Sequence, residues 1–86
     1  MVDPDRRKRL KIRAWRRGTK EMDFILGSYV DAGLARFSDA ETTELETLME
    51  ENDQEIYAWI SGHATAPARF ANLIGRLKAV GLASQG

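Results

Sequence analysis

The chain has 86 residues and no cysteine, which limits it to one domain and excludes disulfide bridges and thiolate metal sites. No apolar run approaches the roughly 20 residues that a transmembrane helix needs, so we predict no membrane span. The 13 basic and 13 acidic residues cancel overall but are segregated along the chain. Residues 1–20 carry a net charge of +7, residues 21–55 carry −10, and residues 56–86 carry +3. Such segregation favours an oriented electrostatic contact.

The first predicted helix runs from about residue 5 to residue 16, and its apolar residues do not share one face. At about 100° per residue, Leu10 and Ala14 lie together on the helix. Ile12 and Trp15 lie nearly opposite that pair. We therefore expect this helix to lie at the periphery of the fold or to complete its packing on a partner.

The second and third predicted helices carry clear signals. Helix two runs from about residue 19 to residue 33, where apolar residues recur at the spacing of a buried stripe. Phe24 falls off that stripe. Helix three begins at Ser38, because Ser38 and Glu41 have the spacing of a capping box.

Two further helices follow through short connections. Asp53 is predicted to cap helix four, which stops at Gly62 because glycine favours the backbone conformation beyond a helix end. Residues 65–67 are predicted to open helix five, and the tail from Ala83 onward is expected to fray.

These elements predict an all-α fold, a small compact five-helix bundle. We expect a single domain over residues 1–86, ordered from about residue 6 to residue 81. The expected core consists of Met22, Ile25, Leu26, Tyr29, Leu45, Leu48, Met49, Ile56, Trp59, Ile60, Phe70, Leu73, Ile74 and Leu77.

The sequence carries no constellation that is typical of an enzyme. His63 is the only histidine, and it lies in a predicted loop without a second ligand at metal spacing, so we expect it to be solvated. Ser38 is better explained as a helix cap than as a nucleophile, and no glycine-rich phosphate loop exists. We therefore predict no catalytic residue and no metal site. The acidic run between Glu41 and Glu51 is typical of a solvated helix face.

Eight basic residues between positions 6 and 17 allow three interpretations. They could grip the phosphates of a nucleic acid, although Trp15 is the only nearby residue for base stacking and the acidic segment would repel such a ligand. They could form a solvated helix face that aids solubility. They could also form a basic arm that contacts an acidic protein surface, which fits the charge segregation better.

The turn between helices one and two, from Arg16 to Asp23, is the most specific feature of the sequence. Gly18 presents bare backbone, which permits close approach by another molecule. Arg17 and Glu21 flank it with a cation and an anion. A structural role is also open, with Gly18 as a helix break and Glu21 favourable to the helix dipole.

In this turn, residues 17–21 resemble the Arg-Gly-x-x-Glu motif of the small FAD assembly factors of succinate dehydrogenase, the SdhE family. The resemblance covers roughly residues 6–80 and extends in order to residues 6–10, 22–27, 45–50 and 53–60. Two departures are Glu55, where an aspartate is common, and the absence of proline just before Asp53. Both lie away from the motif.

The resemblance implies a specific function. Such proteins are five-helix monomers that bind the flavoprotein subunit of succinate dehydrogenase, and often the related fumarate reductase subunit. They promote covalent attachment of FAD to a histidine of that subunit, and we expect neither catalysis nor a stably bound cofactor in this chain. They are cytoplasmic in bacteria or lie in the mitochondrial matrix. The absence of a transit-like segment favours the bacterial cytoplasm.

Carried over residue by residue, the resemblance implies that Arg17, Gly18 and Glu21 contact the partner. Phe24 could add apolar contact or be buried in the bundle. A small nucleic-acid-binding protein that uses the basic N-terminal helix is the alternative from another class, and it would bind with a steep salt dependence. The full set of predicted contact residues is Arg9, Arg16, Arg17, Gly18, Glu21, Asp23 and Phe24.

Overall fold

The computed structural model describes the backbone of residues 3–85 and the side chains of residues 3–80. Over this range it contains helices and no strand, which confirms the predicted all-α fold. The predicted fraying from Ala83 to the end lies outside the fully described residues. The helices are α1 (Pro4–Trp15), α2 (Lys20–Gly33), α3 (Asp39–Met49), α4 (Asp53–Ser61), a 3₁₀ helix (Ala68–Phe70) and α5 (Ala71–Gln85).

Side-chain caps determine where α3 and α4 begin. The Glu41 N–H donates to Ser38 Oγ at 3.1 Å and the Ser38 N–H donates to Glu41 Oε1 at 3.0 Å, which confirms the capping box. The predicted cap at Asp53 was wrong. Asn52 caps α4, with its Oδ1 accepting from the Gln54 N–H at 2.7 Å. Asparagine is as good a cap as aspartate, and the Asp53 carboxylate is engaged with another element.

The connection from α4 to α5 differs in part from the prediction. Gly62 ends α4 with a φ of 85°, as expected. Residues 65–67 do not open an α-helix, because the chain first tightens into the 3₁₀ helix, in which the Phe70 N–H donates to the Pro67 carbonyl at 2.9 Å. This turn buries the Phe70 ring against Trp59, with ring centroids 6.0 Å apart.

The core lies between α1 packed on α2 and α3, and α5 packed on α2 and α4. Twelve of the fourteen predicted core residues are buried, whereas Tyr29 and Ile60 pack against the core and are half-buried. Phe37 was missed because it lies in the connection from α2 to α3, where periodicity gives no signal. The other buried hydrophobic residues absent from the prediction are Leu10, Ala14 and Val30.

Helix α1 has one buried side and one exposed side. Leu10 and Ala14 are fully buried, so α1 completes its packing within the chain on that side. Ile12 and Trp15 are 44% and 38% exposed. The side of α1 that carries Ile12 and Trp15 therefore lies at the periphery, as expected, whereas the opposite side belongs to the core.

Candidate functional site

Residues 16–19 form the bend between α1 and α2, and α2 supplies the groups that hold it. The Thr19 side chain caps α2. One turn into the helix, Asp23 Oδ1 accepts the backbone N–H of Arg17 at 2.6 Å and that of Gly18 at 3.2 Å. Asp23 is half-buried and thus serves the backbone of the bend. Its predicted contact with a partner stays a prediction.

Gly18 lies at the exposed tip of this bend. Its φ of 107° falls in the left-handed region that favours glycine. A Cβ atom placed on Gly18 would meet no other atom within 4 Å. The need for glycine therefore comes from the backbone conformation and not from crowding within the chain. The bare backbone faces open space, where another molecule can approach it closely.

The Arg17 side chain turns back onto the connection between α3 and α4 and is only 13% exposed. Its Nε donates to Asp53 Oδ1 at 2.7 Å, and its Nη2 lies 2.6 Å from the same oxygen. The carbonyls of Met49 and Glu51 accept from Nη1 at 2.7 Å and from Nη2 at 3.0 Å.

The Met49 carbonyl lies at the C-terminal end of α3, where backbone carbonyls lack intrahelical partners, and the Glu51 carbonyl lies in the connection to α4. One guanidinium group thus caps α3 and holds the start of α4. All three guanidinium nitrogens of Arg17 are engaged within the chain. The partner contact that the resemblance implies for Arg17 stays a prediction.

Glu21 and Phe24 present side chains to solvent beside the bend. They are three residues apart on α2 and therefore lie on one face of the helix. The Glu21 carboxylate forms no hydrogen bond or ion pair with the described residues. Phe24 is 46% exposed, so of its two predicted positions the structure supports the outward one.

The acidic helix α3 neutralises the cations on the neighbouring side of α1. Arg6 Nη2 lies 2.6 Å from Glu46 Oε1. Arg13 Nη2 lies 3.1 Å from Glu50 Oε1. The hydrogen bond between Arg6 and Glu46 lowers the pKa of the Glu46 carboxyl and raises the pKa of the Arg6 guanidinium. Part of the basic run therefore pairs with acidic residues of the same chain. The acidic run is accordingly solvated only in part.

The predicted contact residues Arg9 and Arg16 lie on a different side of α1. Both are exposed, and neither forms a hydrogen bond or ion pair with the described residues. Arg9 is close enough to Glu46 for its charge to contribute to the lowered pKa of that carboxyl. Of the predicted set, the side chains of Arg9, Arg16, Glu21 and Phe24 face solvent.

Trp15 is a surface residue that the predicted site did not include. Its ring covers Gly27 of α2 so closely that a Cβ atom there would collide with it. Trp15 Nε1 donates to Asp31 Oδ2 at 3.2 Å. The position of Trp15 opposite the buried pair of α1 is the sequence signal that could have placed it on the surface.

Few other groups in the described chain could act in catalysis or metal binding. His63 is exposed, with its Nδ1 2.6 Å from Ser61 Oγ. No group of three or more potential metal ligands occurs among residues 3–80. Within the described part of the chain, no helix is long and apolar enough to cross a bilayer.

Known proteins similar to this chain point to one family. The family model described as "Flavinator of succinate dehydrogenase" matches residues 8–80. "FAD assembly factor SdhE" of Acetobacter pasteurianus is 39% identical over 62 residues, which cover 72% of this chain and 57% of that protein. "Succinate dehydrogenase assembly factor 2, mitochondrial" of Mycosarcoma maydis is 35% identical over 72 residues, covering 80% of this chain and 30% of that protein.

A third relative, "FAD assembly factor SdhE" of Photobacterium profundum, is 33% identical over 63 residues, covering 73% of this chain and 70% of that protein. The matched segment spans 57%, 30% and 50% of the first three curated relatives, about half of their length or less. No solved structure matches the chain significantly.

The family match includes both the Gly18 bend and the α3–α4 connection on which Arg17 is anchored. The relatives give no support to the nucleic-acid-binding alternative. Because the family match covers far more than half of the sequence, the chain belongs to the family of flavinators of succinate dehydrogenase.

Proposed function

We propose that this chain binds the flavoprotein subunit of succinate dehydrogenase and promotes covalent attachment of FAD to a histidine of that subunit. The names of its bacterial and mitochondrial relatives support this function. The observation that carries it is the open bend at Gly18, whose exposed backbone lies beside the outward-facing side chains of Glu21 and Phe24. The Arg-Gly-x-x-Glu motif, residues 17–21, lies at this surface.

The chain acts by positioning its partner and supplies no catalytic residue. Formation of the bond between flavin and histidine is the chemistry of the flavin itself, to which a protein adds orientation and electrostatics. By docking near the flavin site, this chain holds the flavin methyl group and the histidine in near-attack geometry. The chain itself binds no FAD stably.

The residues of the bend divide into contact and positioning roles. Gly18 permits close approach of the partner, Glu21 pairs with a cation of the partner, and Phe24 adds apolar contact. Arg17 and Asp23 act indirectly, because their polar groups hold the backbone of the bend in place. A preorganised bend loses less conformational entropy on binding.

The proposal also covers the oligomeric state of the chain, its partner proteins and its compartment. The chain acts as a monomer on the succinate dehydrogenase flavoprotein and on the related fumarate reductase flavoprotein. Its compartment is the bacterial cytoplasm, or the mitochondrial matrix in a eukaryote.

The test is co-expression of the flavoprotein with wild-type or variant chain, scored by in-gel fluorescence of covalent flavin. Gly18→Arg should reduce labelling by at least about tenfold, which corresponds to about 1.4 kcal/mol of lost binding. Gly62→Arg is the matched control. Gly62 also has a positive φ, and a Cβ atom added to it would likewise meet open space, so both variants carry the same backbone strain. Labelling should persist with Gly62→Arg.

A second pair of variants tests the anion of the motif. Glu21→Ala should weaken flavoprotein binding, whereas Glu55→Ala should not. Both glutamates are exposed residues in the first turn of a helix, and neither has a partner among the described residues. Equal labelling by wild type and Gly18→Arg would remove the bend from the mechanism. Equal labelling with and without the wild-type chain would refute the proposed function.

A further inference from the structure

Of the nine cations between Arg6 and Lys20, five form no ion pair with the described residues; one of the five, Arg7, is half-buried and the other four are exposed. Those that form ion pairs within the chain are Arg6, Lys11, Arg13 and Arg17. Those that are exposed and form no ion pair with the described residues are Lys8, Arg9, Arg16 and Lys20. The structure thus sorts a basic run that looks uniform in sequence into a neutralised set and an unpaired set.

The unpaired cations of α1 share one side of the helix, which we call the outer face and define as Lys8, Arg9, Ile12 and Arg16. At about 100° per residue, Lys8, Ile12 and Arg9 fall within an arc of about 100°, and Arg16 is the residue that ends the helix on the same side. This arc points away from the buried side of α1. Asp5 lies at the far end of the face from the bend, so the half nearer the bend is the more cationic.

The outer face is continuous with the Gly18 bend. Arg16 directly follows α1 and precedes Arg17, whose side chain is anchored on the α3–α4 connection. Because that anchor fixes the bend, it also fixes the position of the outer face relative to Gly18. A partner that covers the bend is therefore adjacent to the Arg16 end of this face.

The composition of the outer face fits a protein surface better than a phosphate backbone. Ile12 is 44% exposed and lies between Lys8 and Arg16, where it offers apolar contact and no stacking surface. The nearby Trp15 ring donates to Asp31 and covers Gly27, so it is held on α2 and is not free to stack on a base.

We propose that the outer face of α1 docks onto an acidic, partly apolar surface of the flavoprotein subunit, next to the part of that subunit which covers the Gly18 bend. This inference rests on the proposed function. The unpaired cations accelerate association by electrostatic steering, and Ile12 adds contact once the complex has formed. The cations that face α3 take no part, since acids of the chain neutralise them.

The test measures the association rate of the purified chain with the flavoprotein at low and at physiological salt. The double variant Lys8→Glu/Arg16→Glu should lower the rate about tenfold at low salt, with a smaller loss at physiological salt. Arg36→Glu/Lys78→Glu is the matched control. It makes the same change in charge at a lysine and an arginine that are exposed and form no ion pair in the described chain. Its rate should stay within about twofold of wild type.

A milder variant guards against misfolding. Lys8→Gln/Arg16→Gln makes half the charge change and should lower the rate by about threefold, with an unchanged circular dichroism spectrum. Equal rates for both charge-reversal variants would overturn the inference while the wild-type chain still promotes flavin attachment. Failure of the wild-type chain to promote flavin attachment would instead overturn the proposed function. Binding of a DNA or RNA duplex that is lost with Lys8→Glu/Arg16→Glu, with flavoprotein association unchanged, would assign the face to nucleic acid and overturn the inference.

Discussion

The bends at Gly18 and Gly62 share a backbone requirement and differ in what supports them. Both glycines have positive φ, 107° and 85°, and a Cβ atom on either would meet nothing within 4 Å. At Gly18, the side chains of Arg17 and Asp23 tie the bend to α2, α3 and α4. At Gly62, the neighbouring side-chain hydrogen bond is local and exposed, between His63 and the preceding serine.

This difference shows what a glycine with positive φ reports. A positive φ requires glycine because of the backbone geometry of the turn, and at both bends this is the only requirement for glycine. Only the Gly18 bend is held by a nearly buried arginine that joins three elements of the fold. Its exposed backbone is therefore a rigid surface, which is the property that a docking site requires.

The largest expected effect comes from removing the Arg17 anchor. Arg17→Ala should lower the free energy of unfolding by about 2–3 kcal/mol, because two backbone carbonyls and the Asp53 carboxylate lose their donor in a partly buried site. His63→Ala, beside the other bend, should change it by less than about 0.5 kcal/mol. Urea denaturation followed by circular dichroism measures both.

A conservative variant sharpens this prediction. Arg17→Lys keeps a cation for Asp53 but cannot reach all three acceptors in the fixed geometry of a guanidinium group, so its loss should be intermediate. If Arg17→Ala proved as stable as His63→Ala, the two bends would be equally supported and the comparison would fail.

A smaller effect is expected from adding a methyl group at each glycine. Gly18→Ala and Gly62→Ala should each lower the free energy of unfolding by about 1 kcal/mol, since both force an L-residue into the left-handed region. The two losses should agree within about 0.5 kcal/mol because neither Cβ meets a neighbour. A much larger loss at Gly18 would mean that the bend is crowded, and the open surface would be refuted.

The smallest effect concerns pH and acts where α1 rests on α3, at the end of α1 remote from the Gly18 bend. Arg6 lowers the pKa of the Glu46 carboxyl below its ordinary value of 4.5. The stability that this pair contributes is therefore present above pH 4.5 and is lost as the pH falls through the lowered pKa of the folded state. Thermal unfolding at pH 7 and pH 3 should show a smaller acid-induced drop for Glu46→Gln than for wild type. An identical drop would contradict a role for this pair.

Local patterns predicted most of the fold. The capping box at Ser38, the stop at Gly62 and the apolar stripes of α2 and α5 depend on residues within a few positions of one another. The misplaced cap at Asp53 shows the limit of this reasoning. Two adjacent residues could both cap α4, and a contact with Arg17 from a distant part of the chain engages one of them.

The candidate site was predicted in part. Gly18 and Glu21 lie exposed as the motif implies, and Phe24 was correctly recognised as lying off the buried stripe. The inward turn of Arg17 was not predictable, because the sequence around it does not show which carbonyl groups lie within reach. The packing of Trp15 on Gly27 depends in the same way on how α1 crosses α2.

The amino-acid sequence alone was sufficient for the helical fold, most of the helix boundaries, the segregation of charge and the family motif, since each depends on residue type and short-range spacing. The packed structure decided which cations are neutralised and which remain available to a partner. Arg6 pairs with a residue 40 positions away and Arg17 with one 36 positions away. Such pairs form only when helices pack at particular angles, and short-range sequence patterns do not determine those angles.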